Sequence, residues 1–180
     1  MSAPKPYPKR TEEMVRVDHA GEYGAVAIYR GQRAVFERRS GKRRIAEQLA
    51  QMEAEEQAHL DAFDKLILER GVRPTAMAPL WNAAGFGLGV ATALLGEKAA
   101  HACTEAVESV IEGHYDDQVR ELEAKGETEL SAMFAKFRDE ETAHKDLAVE
   151  EGAHEAPGYP VLSAAIKLGC RLAIKVTEKI

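Results

Sequence analysis

The chain has 180 residues, a formal net charge of −6, and 45% hydrophobic against 30% charged residues. That length suits one domain with a sizeable core, and the composition excludes a polytopic membrane protein, a disordered chain and, for the molecule as a whole, a nucleic-acid binder. Cys103 and Cys170 form neither a CxxC pair nor a disulfide framework, so both are expected as buried thiols of a reducing compartment.

Residues 1–9 carry three prolines and are expected to form a flexible arm, leaving 10–180 as a single domain. A helical pattern runs from about Thr11 to Arg39, with Val15, Ala25, Ile28 and Val35 among its apolar positions, and breaks at Ser40-Gly41. A second helix is predicted from about Lys42 to Arg70, stopped by Gly71 with Pro74 beyond it. From Pro74 to Gly96 there are then 23 residues without a charge. Charges return at Glu97, where a third helix should begin and continue to about Lys125. Gly126 marks a turn, and a fourth helix runs to about Glu151. The segment His154–Pro160 interrupts, and a last helix is expected over 161–178. No stretch alternates with period two for long enough to make a strand, so the expected class is all-α.

Two Glu-x-x-His motifs stand out, Glu56…His59 in the second helix and Glu141…His144 in the fourth. An i, i+3 spacing puts both side chains on one helix face, within reach of a common ion. Di-metal carboxylate bundles pair two such motifs with one glutamate from each of two further helices. Hairpin geometry selects those glutamates, because positions equidistant from a turn share a height. Glu22 and Glu56 are equidistant from residue 39, and Glu108 and Glu141 from a point beside Gly126. The halves also repeat: an offset of 85 carries Glu56 to Glu141 and His59 to His144, and 86 carries Glu22 to Glu108. Four carboxylates offset two divalent ions, and two imidazoles add nitrogen donors suited to iron. Without metal, such a buried cluster would be disfavoured by desolvation and repulsion.

Neighbouring candidates are weaker. Glu151…His154 has no counterpart in the other half, and His19, three residues before Glu22, reverses the motif's order. Glu53, Glu55, Glu105 and Glu140 are expected to face solvent or other helices. Tyr115 lies two turns beyond Glu108 on the same face, as a core tyrosine or a contact for substrate. His114 is less well aimed.

The uncharged connection is too long for a turn and too apolar for a solvated loop; it fits the long crossover of a ferritin-like bundle. As a helix, the 17 residues Leu80–Gly96 would rise about 26 Å. Pro79, Asn82 and four glycines argue against a transmembrane span and for a crossover that embeds partly in a membrane or covers an apolar channel. In the last helix, Lys167, Arg171, Lys175 and Lys179 form a basic stripe beside apolar Leu162, Ile166, Leu172 and Val176, the pattern of an interfacial helix on anionic lipid. A second basic cluster, Arg38 to Arg44, occupies the first hairpin turn.

The runs Arg16-Val17-Asp18-His19-Ala20-Gly21-Glu22-Tyr23-Gly24-Ala25, Pro79-Leu80-Trp81-Asn82, Thr92-Ala93-Leu94-Leu95-Gly96 and Phe137-Arg138-Asp139-Glu140-Glu141 resemble the demethoxyubiquinone hydroxylase family, as do both Glu-x-x-His motifs. The resemblance extends from about Arg16 to the C-terminus. It implies a ferritin-like monooxygenase of ubiquinone biosynthesis, with two iron ions on Glu22, Glu56, His59, Glu108, Glu141 and His144. It also implies dioxygen and a polyprenylated quinol as substrates, peripheral contact with membrane lipid, and a lipid-binding accessory protein as a partner. No mitochondrial presequence precedes the matching core, so the expected place is the cytoplasmic face of a bacterial cell membrane. The competing reading is a ferritin-like ferroxidase with the same ligands. It predicts a polar crossover, against the uncharged one found here.

Overall fold

A computed structural model describes residues 7–180, and every described element is helical. The chain divides into two compact units: one runs to Leu94 and takes in Leu172–Ile180, the other is Leu95–Arg171. The all-α expectation holds, with six α-helices and one short 3-10 helix among the described residues.

The first unit is built on a hairpin of α1 (Lys9–Phe36) and α2 (Arg43–Arg70). Their apolar positions recur at helical spacing and are buried: Met14, Val15 and Phe36 from α1, and Ile45, Leu49, Met52 and Phe63 from α2. α1 ends at Phe36, three residues before the expected Arg39, and the chain turns over through Gly41 at φ 78°. α2 ends where expected: Gly71 is left-handed (φ 67°), which lets the Val72 N–H reach back to the Ile67 carbonyl. Of the expected arm, residues 1–6 lie outside the described chain, and Tyr7 is buried beneath the Arg70 guanidinium, 4.6 Å from its ring centroid.

The uncharged connection forms α3 (Ala78–Leu95), with Pro79 in the first turn, where no backbone N–H is needed. α3 lies against α1 at backbone distance. A Cβ on Gly89 would sit 2.1 Å from the Ile28 carbonyl oxygen, one on Gly85 2.6 Å from that of Gly24, and one on Gly31 2.4 Å from that of Phe86. Glycine is what lets these two helices touch. Gln32 and Thr92 add a buried side-chain hydrogen bond at 3.5 Å. The opposite side of α3 is exposed, with Leu80, Phe86 and Leu94 among its residues. α3 is long and apolar enough to cross a membrane by length and composition alone.

The second unit is a hairpin of α4 (Glu97–Ala124) and α5 (Thr128–Glu150), followed by the 3-10 turn Ala153–Glu155 and most of α6 (Tyr159–Thr177). α4 ends like α2: Gly126 at φ 74° lets the Glu127 N–H bond the Leu122 carbonyl. The stretch Ala99–Glu108 is buried at every position, small residues predominating. Ala99 and Ala102 pack with Ala153, Ala156, Tyr159 and Leu162, which seats the start of α6. The end of α6 belongs to the first unit, where the Trp81 indole N–H donates to Thr177 Oγ1 at 3.0 Å and Arg73 bonds the Ile180 carbonyl.

Candidate metal centre

In the first unit, α1 supplies Glu22, and α2 supplies Glu56 and His59 from one face. All three are buried, Glu56 completely. One ligand atom from each lies within 4.8 Å of the others, and His59 Nδ1 stands 3.8 Å from Glu22 Oε2 and 3.7 Å from Glu56 Oε2. These separations exceed a hydrogen bond and suit donors converging on one cation. In the second unit, α4 supplies Glu108, and α5 supplies Glu141 and His144, again buried and with ligand atoms within 4.8 Å. His144 Nδ1 is 3.3 Å from Glu141 Oε2. Two carboxylates and an imidazole per half form a hard-to-borderline donor set whose negative charge is costly to bury unless a cation sits among it. The buried Glu/His clusters can therefore hold metal.

The residues around the ligands sort differently. Tyr115 is buried in the second unit with its ring edge-on to Phe134, centroids 5.6 Å apart. His114 Nε2 faces Gln118 Nε2 at 2.9 Å. His154 is exposed on the 3-10 turn, its ring tilted against that of Tyr159, as its lack of a counterpart suggests. Glu53 binds Arg30 and Arg33, while Glu55 and Glu140 make i, i+4 contacts with Gln51 and Lys136. His19 is buried, with Nε2 2.9 Å from Asp64 Oδ1. Sequence reasoning passed over Asp64, although it and His19 are nearly equidistant from the first turn.

Glu105 corrects the expected basic stripe. This buried carboxylate, one turn before Glu108, accepts hydrogen bonds from Tyr159 Oη (3.0 Å), Ser163 Oγ (3.3 Å) and Lys167 Nζ (3.0 Å), three α6 donors spaced by four, and from Ser109 Oγ (2.8 Å). Lys167 therefore faces inward, as does buried Ile166. The outward stripe of α6 is Val161, Leu168 and Leu172, beside exposed Arg171, Lys175 and Lys179. Burial pushes the Glu105 carboxyl up, but the bonds from Lys167, Ser109 and Tyr159 and the Lys167 charge more than offset it and leave it below the usual carboxylate range. The anchor is thus complete at neutral pH and is lost as pH falls through that lowered value. Burial, then the Glu108 charge, raise the Cys170 thiol on α6 to about 11, which keeps it protonated and unreactive. Cys103 is buried and free as expected, whereas Cys170, also free, is only half-buried.

This makes Cys170 a reporter of α6. Glu105→Gln should speed its alkylation by roughly tenfold, since removing one partner of a largely buried ion pair strands the other. Thiol-labelling rates measured at one pH check this, and an unchanged rate would mean that apolar packing alone seats the helix.

Helical hairpins that each carry a Glu plus a Glu-x-x-His set have the arrangement of carboxylate–histidine metal bundles. The chain belongs to the COQ7 family, whose model, described as "Ubiquinone biosynthesis protein COQ7", matches residues 9–177. It is 52% identical to the Rhodospirillum rubrum protein named 3-demethoxyubiquinol 3-hydroxylase, over 94% of this chain and 78% of that one. It is 45% identical to the Homo sapiens protein named NADPH-dependent 3-demethoxyubiquinone 3-hydroxylase, mitochondrial, over 94% and 77%. To the Saccharomyces cerevisiae 5-demethoxyubiquinone hydroxylase, mitochondrial, it is 39% identical over 94% and 78%.

Proposed function

We propose that this chain is an oxygen-dependent hydroxylase of a polyprenylated demethoxyubiquinol, acting in ubiquinone biosynthesis with two iron ions. The observation that carries the reading is the pair of buried Glu, Glu-x-x-His sets in a chain so similar to named hydroxylases over most of its length. Glu22, Glu56 and His59 supply ligands from one half, and Glu108, Glu141 and His144 from the other. When bound, the irons supply a place for dioxygen and the electrons that activate it.

The protein's own groups do the rest. Four carboxylates would balance the charge of two divalent ions, and the neutral imidazoles add none, so the loaded site would be near neutral. Burial of all six side chains would exclude bulk water from the site. Tyr115, held edge-on by Phe134, is the candidate to orient the substrate ring. One oxygen atom of O2 enters a ring C–H bond and the other leaves as water, taking two electrons and two protons from outside. Several relatives are named NADPH-dependent, which makes NADPH the first reductant to try. A quinol ring is more electron-rich than a quinone, so the substrate enters reduced.

A long isoprenoid substrate resides in a bilayer, and the exposed apolar residues of α3 and α6 suit a peripheral seat on its surface. One side of α3 is committed to α1 through the glycine contacts, which favours lying in the interface over crossing it. The relative from Rhodospirillum rubrum fits the cytoplasmic face of a bacterial cell membrane, where a lipid-binding accessory protein of the pathway could hand over substrate.

Incubating iron-loaded protein with the reduced quinol, NADPH and heavy-isotope dioxygen tests the assignment. Mass spectrometry should show one heavy oxygen in the ring. Iron oxidation with no quinol product would point to the ferroxidase reading instead.

A further inference from the structure

The turn joining α1 to α2 carries Arg38, Arg39 and Lys42, and α2 opens with Arg43 and Arg44, in a chain whose net charge is −6. Arg43 is bound to Glu47 and Arg44 to Gln48, each one turn further along α2. Arg38 and Arg39 are exposed and, among the described residues, their guanidinium groups have no hydrogen-bond or ion-pair partner.

Where these two cations emerge is set by α1. Gly24, Ala27, Ile28, Gly31 and Gln32 meet α3. That stripe passes Val35 in the last turn of α1, which ends at Phe36 with Glu37 as its cap, so Arg38 and Arg39 follow directly on the end of the helix. α3 runs parallel to α1, with Gly85 at the height of Gly24, Gly89 at that of Ile28 and Thr92 at that of Gln32. Leu94 therefore comes to rest beside the last turn of α1. Arg38 and Arg39, at the exposed turn that follows α1, therefore come just past the height at which uncharged α3 ends. At its other end, Trp81 is tied to Thr177, which brings exposed Lys175 and Lys179 there.

We propose that Arg38 and Arg39 form a binding site for anionic lipid headgroups, a second electrostatic anchor that with Lys175 and Lys179 brackets α3 on the membrane surface. The inference rests on the peripheral membrane seat proposed above and names the lipid class that seat requires. An acidic protein is repelled as a whole by an anionic surface, so its attachment depends on cations placed at the contact itself. A modest apolar insertion alone binds reversibly, and a second signal is what makes attachment stable. Arginine suits the role because its planar fork donates two parallel hydrogen bonds to a phosphate. The turn's position at the end of an apolar helix face favours a bilayer over an acidic protein, for which α3 would be irrelevant.

The test is sedimentation of the full chain with phosphatidylcholine vesicles, with and without phosphatidylglycerol, across salt concentrations. Arg38→Gln/Arg39→Gln should weaken partition onto the anionic vesicles by roughly ten- to thirtyfold, at about one kcal/mol per cation, with a shallower salt dependence. Partition onto the neutral vesicles and iron content should not change. If that variant binds anionic vesicles like the parent while Lys175→Gln/Lys179→Gln binds less, the turn is no headgroup site, though the membrane seat stands. If Phe86→Ser/Leu94→Ser binds both vesicle types like the parent, the membrane seat itself fails. An arginine variant that keeps its vesicle binding but loses affinity for an acidic protein would make the turn a protein-docking surface and overturn the proposal.

Discussion

Glu56→Ala and His144→Ala should each lower bound iron and reduce quinol hydroxylation by more than about a hundredfold, because changes merely behind the ligands already cost about 10–100-fold. The adjacent acid and the third motif's histidine are placed elsewhere. Glu55 is engaged with Gln51, and His154 lies exposed on its own turn. His154→Ala, also drawn from a Glu-x-x-His motif, should leave both quantities unchanged. Metal analysis and turnover on the same preparations decide the matter. Loss of iron from His154→Ala with retention in His144→Ala would reverse the ligand assignment. His59→Ala should behave like His144→Ala, since the two occupy equivalent places in the repeat.

The second large effect lies far from the chemistry. Gly89→Ala should destabilise the protein by about 1–3 kcal/mol, the range for overpacking a tight interface. The new methyl would stand 2.1 Å from the Ile28 carbonyl oxygen and 2.9 Å from its carbon, both backbone atoms that cannot rotate aside. Gly87→Ala, two residues away in the same helix, meets nothing within 4 Å and should be neutral or stabilising by up to about 1 kcal/mol through helix propensity. For a chain of this size, each kcal/mol moves Tm by about 2–4 °C, so calorimetry on the pair separates contact from propensity. Equal shifts for the two would mean that α3 is not held by backbone approach.

The grouping of the candidate ligands was legible because their signals are local or symmetric. An i, i+3 pair is fixed by helix geometry, and a short turn fixes which residues of a hairpin share a height. The same logic placed the helix boundaries to within a few residues and found the break at Gly71. Two features escaped it. Glu105 and Lys167 are 62 residues apart, and nothing in the period of α6 reveals that one cation of a regular basic stripe faces a buried carboxylate. Periodicity gives a face without saying which neighbour covers it. The glycines of α3 were similarly ambiguous: in sequence they weaken a membrane span, whereas in the fold Gly85 and Gly89 are points of helix contact.

The Trp81–Thr177 hydrogen bond makes the molecule optically simple. Trp81 is the sole tryptophan of the chain, half-buried at the start of α3, with its indole N–H committed to the end of α6. All tryptophan emission therefore originates at one seam, where the end of α6 is fastened to the uncharged helix. Its colour and quenching read the polarity of that seam without any label, whether the protein is in buffer, in detergent or on a bilayer.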